Sequence, residues 1–289
     1  MIGQTNEIYE ITIKQYKFQN GTWYIGDCLE ILPQLPDTFV DVVITSPPYN
    51  VGKEYDVWND NMSVDEYKDF IFNVSKELYR VVVKGGRYCI NVPLVGNSWF
   101  NKKSDGLMFY PLFYVDIVEK VGWRFRDFVI WVKTNEPEKP NSFCGSSTRW
   151  GSWMSPSSPY LRCFAEVIFI FDKEDRILPQ KGRATITRDE FLTYTKNVWY
   201  FPSEAKRHGH PAVFPVELPK RLIKLYSWSE SVILDPFAGI GTTAVACEIE
   251  QRKWICIEIS KKYSEIAFKR LDKLNTLEKF LGNGKCCNG

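Results

Sequence analysis

The stretch Thr45-Ser46-Pro47-Pro48-Tyr49-Asn50 carries residue types suited to chemistry on a flat heterocycle. It follows Val40-Asp41-Val42-Val43-Ile44, an apolar and β-branched run that predicts a buried strand. Each proline removes a backbone donor, so the strand cannot continue as sheet, and a stiff turn forms at its carboxyl end. In open α/β sheets ligands bind at that end of the strands. The turn offers the Ser46 hydroxyl, carbonyls that no ladder consumes, and the aromatic face of Tyr49. These groups suit a ring bearing an amino group, stacked on the tyrosine, with its amine held by acceptors. A surface loop with a packed tyrosine is the plainer reading of the same residues.

A second stretch favours the chemical reading. Val232-Ile233-Leu234-Asp235 is an apolar strand that runs into Pro236-Phe237-Ala238-Gly239-Ile240-Gly241, and a helix pattern starts at Thr242. Glycines let the backbone approach a ligand closely. The spacing is not the dinucleotide fingerprint, and no Gly-Lys-Ser/Thr of a phosphate loop follows. Asp235 would repel phosphate but suits an ammonium group. The next strand, Trp254-Ile255-Cys256-Ile257-Glu258, ends in an acid placed to accept two ribose hydroxyls. Ribose, an ammonium group and no phosphate describe S-adenosylmethionine.

Together the two motifs resemble those of the DNA amino-methyltransferases, which methylate an exocyclic nitrogen of cytosine or adenine. Asp235-Pro236-Phe237-x-Gly239-x-Gly241 resembles that family's cofactor motif, and Ser46-Pro47-Pro48-Tyr49 its catalytic motif. The catalytic motif comes first, as in the permuted group usually called beta. Gly26-Asp27 and His210-Pro211-Ala212-Val213-Phe214-Pro215 also match in that group's order. The resemblance implies a Rossmann-like α/β fold with circularly permuted motifs, a mostly parallel sheet and helices on both faces. It implies S-adenosylmethionine as cofactor, held by Asp27, Phe214, Asp235, Phe237, Gly239, Gly241, Thr242 and Glu258. Asp27 would meet the adenine, and so would Phe237. The implied partners are duplex DNA and a cognate restriction endonuclease. Serine at the first catalytic position is associated in that family mainly with cytosine N4, and Asp or Asn with adenine N6. Ser46 therefore implies cytosine N4, with adenine N6 as the alternative.

Composition bounds this reading without producing it. The chain has 289 residues, 44% hydrophobic and 25% charged, which is ordinary for a soluble globular protein. No apolar run approaches the ~20 residues of a membrane span, and residues 1–6 lack a signal peptide's apolar core. A cytoplasmic protein with no membrane contact is expected. The eight cysteines lack paired-ligand spacing and there are two histidines, so no metal site is expected. A formal net charge of +2 says little about nucleic acid, which needs a local basic surface.

One methyltransferase domain over residues 1–289 is expected, with a catalytic half at about 22–133 and a cofactor half at about 197–275. Residues 282–289, rich in Gly and Asn, read as a disordered tail. Asn20-Gly21 between two alternating runs predicts a hairpin. Ser63-Val64-Asp65-Glu66 is a capping box, opening an amphipathic helix that reads as ending at Gly85-Gly86. Helices are also expected over 111–121, 215–226, 242–250 and 260–281. Residues 134–196 fall where the family keeps its target-recognition region. Within them, 142–162 has no acid, and Trp150, Trp153 and Tyr160 lie between Arg149 and Arg162. A mobile polar loop is one reading. A DNA-facing surface is the other, with Arg149, Trp150 and Arg162 as contacts. Ala165 to Phe171 is a strong strand pattern, so the insertion is short or resumes at the basic stretch from Lys181 to Arg188.

In the expected reaction the Ser46 oxygen and the Pro47 carbonyl accept from the target amine and help localise its lone pair. Pro48 stiffens the turn, and Tyr49 stacks on a base flipped out of the duplex. No Pro-Cys dipeptide exists, which excludes carbon-5 chemistry. A leucine at Gly241 is expected to block the cofactor without unfolding the protein. Two other classes share the motifs: an RNA or protein-glutamine methyltransferase, and a module that binds without turnover.

Overall fold

Strand β3 (Val40–Thr45) is buried at every position and lies at the middle of the molecule. The computed structural model describes residues 14–96, 108–135, 152–159, 161, 163–204, 209–210 and 213–283. In it β3 is parallel to β10 (Val232–Asp235) on one side and to β4 (Val82–Pro93) on the other. Outward from β10 come β11 (Lys253–Glu258), β2 (Gly21–Ile25) and β1 (Lys14–Lys17). Outward from β4 come β8 (Ala165–Asp172), β7 (Arg124–Val132) and β9 (Val198–Tyr200). The nine strands form one sheet in which β2, β11, β10, β3 and β4 are parallel, while β8 runs against both neighbours. A separate two-stranded piece pairs β5 (Val95–Gly96) with β6 (Met108–Phe109).

Helices cover both faces. On one side α1 (Cys28–Ile31), α2 (Val64–Val81) and α3 (Tyr110–Val121) bury their apolar stripes. On the other lie α4 (Arg188–Tyr194), α5 (Glu217–Tyr226), α6 (Thr242–Ile249) and α7 (Lys261–Asn283). The Ser63 capping box forms as expected: Ser63 Oγ accepts from Glu66 N at 3.3 Å and Glu66 Oε2 from Ser63 N at 2.9 Å. Such a cap contributes about 1 kcal/mol. Gly122, at φ 118°, stops α3 after Val121, where the helix expected over 111–121 ends.

The chain leaves β10 through α6 to reach β11, and leaves β3 through α2 to reach β4. The two crossovers diverge, so the strand order reverses between β10 and β3. That switch point is where open α/β sheets bind ligands, outside the carboxyl ends of the strands. Permuted motifs thus become neighbours.

Several expectations change. Helix α2 ends at Val81, not at Gly85-Gly86, and β4 begins at once with the β-branched Val82 and Val83. The two glycines instead bend β4, and a methyl group on Gly85 would sit 1.9 Å from the Ile177 carbonyl oxygen. The span 134–196 is not all insertion, because β8 lies inside the sheet between β4 and β7. Its basic stretch is far from the switch point. Lys181 pairs with Asp41 at the start of β3, and Arg183 N donates to Ser229 just before β10. Both are at the amino ends of the strands, so this stretch cannot reach a base bound at the carboxyl ends. In the expected tail, residues 282–283 are the last of α7, and 284–289 lie outside the described residues.

Gly241 is a second correction. It has φ +76°, caps α6, and a methyl group there would sit 2.9 Å from Ala267 Cβ and 3.2 Å from the Trp23 ring. The position faces α7 and not a ligand. Gly241→Ala should therefore destabilise the fold by about 1–3 kcal/mol, from left-handed strain and overpacking. Denaturant unfolding checks this. An unchanged midpoint would contradict it.

Candidate active site

An open cleft lies at the switch point. Its walls come from the turns after β3, β10 and β11, the start of α1, and residues from α2 and α7. Ser46, Pro47, Pro48 and Tyr49 all line it. So do Asp27, Phe214, Phe237, Gly239, Thr242 and Glu258. Asp235 and Gly241 do not. Arg149, Trp150 and Arg162 lie outside the described residues.

The catalytic turn is held from below and behind. Tyr67 in α2 donates its hydroxyl to the Pro48 carbonyl at 2.5 Å, and Tyr110 in α3 donates to the Tyr49 carbonyl at 2.9 Å. No hydrogen bond engages the Pro47 carbonyl among the described residues, so it stays available as an acceptor. Ser46 Oγ and the Tyr49 hydroxyl are 2.5 Å apart, and each reaches the main-chain carbonyl of Asn91 at 3.2 Å. Tyr49 is only 7% exposed. Its ring has little free face for stacking in this conformation, and its hydroxyl is engaged within the turn. Burial pushes that phenol well above its ordinary pKa, so it remains a neutral donor.

The loop after the turn is fastened twice. Asp60 accepts from Asn50 N at 2.7 Å, Val51 N at 3.0 Å and Lys53 N at 2.9 Å. Asn50, with φ 55°, exchanges two bonds with the Met62 backbone at 2.9 and 2.7 Å. The loop therefore returns to α2 and carries Tyr55 and Trp58 over the cleft. With His210 and Tyr263 they form an aromatic wall, the His210 and Tyr263 rings lying 4.5 Å apart. Sequence reading missed Tyr55, Trp58 and Tyr263, since nothing in a lone aromatic tells a cleft wall from a core. His210, which the sequence places only at the head of the segment before α5, lines the cleft.

Asp235 is corrected most. Its carboxylate is 1% exposed and accepts from Thr45 Oγ1 and Thr243 Oγ1, both at 2.6 Å, and from Phe237 N at 3.1 Å. Two threonine hydroxyls draw it inward, so it does not meet a ligand. Burial raises its pKa to about 6 against those three donors. Asp27 spends one oxygen capping α1, accepting from Leu29 N at 2.8 Å, and still lines the cleft. Thr242 lines it too, with its hydroxyl accepting from Arg270 of α7 at 3.1 Å.

Glu258 ends β11 at the rim of the cleft. Its two oxygens accept from Gly239 N at 2.7 Å and Ser260 N at 2.8 Å. Each oxygen keeps a further lone pair, so the pair can take two vicinal hydroxyls. Gly239, at φ +53°, brings the backbone to the cleft with only His210 across it, 3.1 Å from where a methyl group would be. Among the described residues lining the cleft there is no lysine or arginine, and the acids are Asp27 and Glu258. This lining fits a cationic nucleoside and not a phosphate ester. S-adenosylmethionine fits it, with Glu258 able to take the ribose and the aromatic side chains the adenine.

Burial raises the Glu258 carboxyl to about 8. The ionised form accepts both hydroxyls, whereas the protonated form turns one oxygen into a donor. A ligand that prefers the ionised form gains affinity as pH rises through that value. S-adenosylmethionine should thus bind more tightly at pH 9 than at pH 6.5, by up to about tenfold per unit below pH 8. Glu258→Gln should bind weakly and lose most of that rise. Calorimetry across this range checks it, and equal slopes in both proteins would contradict it.

Comparison with known proteins gives the family. A model of the N6/N4 methylase family, described as DNA methylase, matches residues 40–269. The Type II methyltransferase M.MjaVI of Methanocaldococcus jannaschii is 34% identical over 200 residues, covering 68% of this chain and 94% of that protein. Among solved structures, PvuII DNA methyltransferase (cytosine-N4-specific) superposes with a TM-score of 0.67 at 21% identity, over 93% of this chain and 95% of that one. A DNA modification methylase from Thermus thermophilus, solved with S-adenosyl-L-methionine, gives 0.65 at 24% identity, over 86% and 92%. Both likenesses are of fold. The chain belongs to the N6/N4 DNA methylase family, whose members take their methyl group from S-adenosylmethionine.

Proposed function

We propose that this protein methylates the exocyclic N4 of cytosine at a defined site in duplex DNA. We also propose that it works in the cytoplasm beside a restriction endonuclease of the same specificity. The observation that carries the reading is one continuous cleft lined both by the Ser46 turn and by the Gly239 and Glu258 cofactor wall. Adenine N6 is the family's other target, and Ser46 is what favours cytosine.

When bound, S-adenosylmethionine supplies an electrophilic methyl carbon on a sulfonium. The target amine is a weak nucleophile because its lone pair is delocalised into the ring. Ser46 Oγ and the Pro47 carbonyl accept its hydrogens and favour the pyramidal nitrogen that forms during transfer. The fixed turn supplies orientation, which accounts for much of the remaining rate. The methylated nitrogen is cationic and releases a proton readily, so the turn needs no histidine or carboxylate. A base inside a duplex cannot reach the cleft, so it must be extruded.

Target recognition falls to 142–162, with Arg149, Trp150 and Arg162 contacting DNA. Supporting this, Trp153 and Met154 in its described part are 64% and 88% exposed. The 134–196 boundary is narrowed by the β8 strand inside it.

Ser46→Ala should lower kcat by roughly 10²-fold or more, the scale of one lost transition-state acceptor, with cofactor affinity unchanged. Methylated duplex DNA digested to nucleosides and resolved by mass spectrometry should give N4-methylcytosine. N6-methyladenine as the sole product would overturn the cytosine assignment.

A further inference from the structure

We propose that Glu166, on β8, is a positioning residue for the catalytic turn and acts through Asn91, on β4; this rests on the methyl-transfer reading above. A chain of polar contacts crosses three strands at the carboxyl end of the sheet. Lys133, just past β7, pairs with Glu166 Oε1 at 2.5 Å. Glu166 Oε2 accepts from Asn91 Nδ2 at 2.6 Å. The same Nδ2 donates to the Tyr49 hydroxyl at 3.0 Å, and that hydroxyl touches Ser46 Oγ at 2.5 Å.

The Asn91 amide is the part that needs explaining. The residue is 2% exposed, both amide hydrogens are used, and its Oδ1 has no hydrogen-bond partner among the described residues. A buried acceptor left unpaired is destabilising, so the way round in which the amide is held needs a physical cause. Turning the amide over would set Oδ1 against the Glu166 carboxylate, two acceptors with no proton between them. Glu166 therefore fixes which end of Asn91 meets Tyr49.

The proton inventory shows why that matters. An N–H from Asn91 on the phenol oxygen leaves Tyr49 to act as a donor, and polarises it as one. Its nearest acceptor is Ser46 Oγ. Ser46 then donates to the Asn91 main-chain carbonyl, and its remaining lone pair is free for the target amine. With the amide reversed, Tyr49 would donate to Oδ1 and Ser46 would lose its fixed orientation. Lys133 offsets the carboxylate charge beside the site.

Because Glu166 acts only through Asn91, a double-mutant cycle is the direct test. Wild type, Glu166→Gln, Asn91→Ala and the double variant would be assayed for methyl transfer to duplex DNA. Glu166→Gln keeps the side chain's size but replaces one carboxylate oxygen with an amide that can donate to Asn91 Oδ1, so the Asn91 amide is no longer held one way round. We expect its kcat to fall about tenfold, the effect of a displaced acceptor, with KM for DNA and cofactor affinity within about twofold of wild type. In the Asn91→Ala background, Glu166→Gln should have no further effect. Losses in kcat that multiply in the double variant overturn the proposal. So does a wild-type kcat in Glu166→Gln, or a loss that falls on KM and thermal midpoint alone. Wild-type protein that methylates no DNA would instead remove the function proposed above, so the two failures are distinct.

Discussion

The site depends on one buried carboxylate. Asp235 ends the cofactor strand, and its oxygens gather Thr45 at the end of the catalytic strand, Thr243 in α6 and the backbone of Phe237. The β-ladder between β10 and β3 registers only Ile233 with Val42 and Leu234 with Val43. Beyond that pair the chains diverge into two different turns. The Thr45 bond extends the join to the last residue before Ser46, so both turns leave from one clamp. Hydrogen bonds to a charged group contribute roughly 1.5–3 kcal/mol each. Burial works against them and holds the carboxyl near a pKa of about 6, which leaves it ionised at neutral pH.

The rest of the cleft is built outward from this clamp by elements far apart in the chain. Helices α2 and α3 fix the carbonyls of Pro48 and Tyr49 through tyrosine hydroxyls. On the other face α7 reaches under the glycine turn, where Arg270 donates to the Ile240 carbonyl at 2.6 Å. Tyr263 and Ser260 bind the far loop at Asp56, by 3.2 and 2.6 Å bonds. The permuted order of motifs has no bearing on this assembly, because β3 and β10 are neighbours whichever comes first. The protein supplies positions and acceptors, which is what transfer of a methyl group to a weakly nucleophilic amine requires.

Much of this is legible in the sequence, and the failures share a cause. Strand, turn and cap chemistry is local, so β3, the Ser63 box and the Gly122 stop can be read directly. Glu258 can be placed at the cleft because its partners, Gly239 N and Ser260 N, belong to the motif turns themselves. Asp235 is misread because one of the two hydroxyls that turn it inward belongs to Thr45, 190 residues away. Gly241 fails for the same reason: its neighbours Ala267 and Trp23 come from opposite ends of the chain. Other misses are avoidable. Thr187 and Glu190 form a capping box that announces α4, a signal hidden when the stretch is read for its charge. The run Val81-Val82-Val83 marks the change from helix to strand just before the glycines.

Thr45→Val tests the central claim most directly. The substitution keeps the shape and burial of the strand end and removes only the hydroxyl that joins it to Asp235, leaving Thr243 and Phe237 N in place on the cofactor side. The quantity to measure is the single-turnover rate of methyl transfer to duplex DNA, alongside the dissociation constant of S-adenosylmethionine. If the clamp aligns the two turns, the rate falls by roughly 10-fold to 10²-fold, as a small misplacement of reacting groups would cause, while cofactor affinity stays within about twofold. A wild-type rate in folded Thr45→Val would contradict the account.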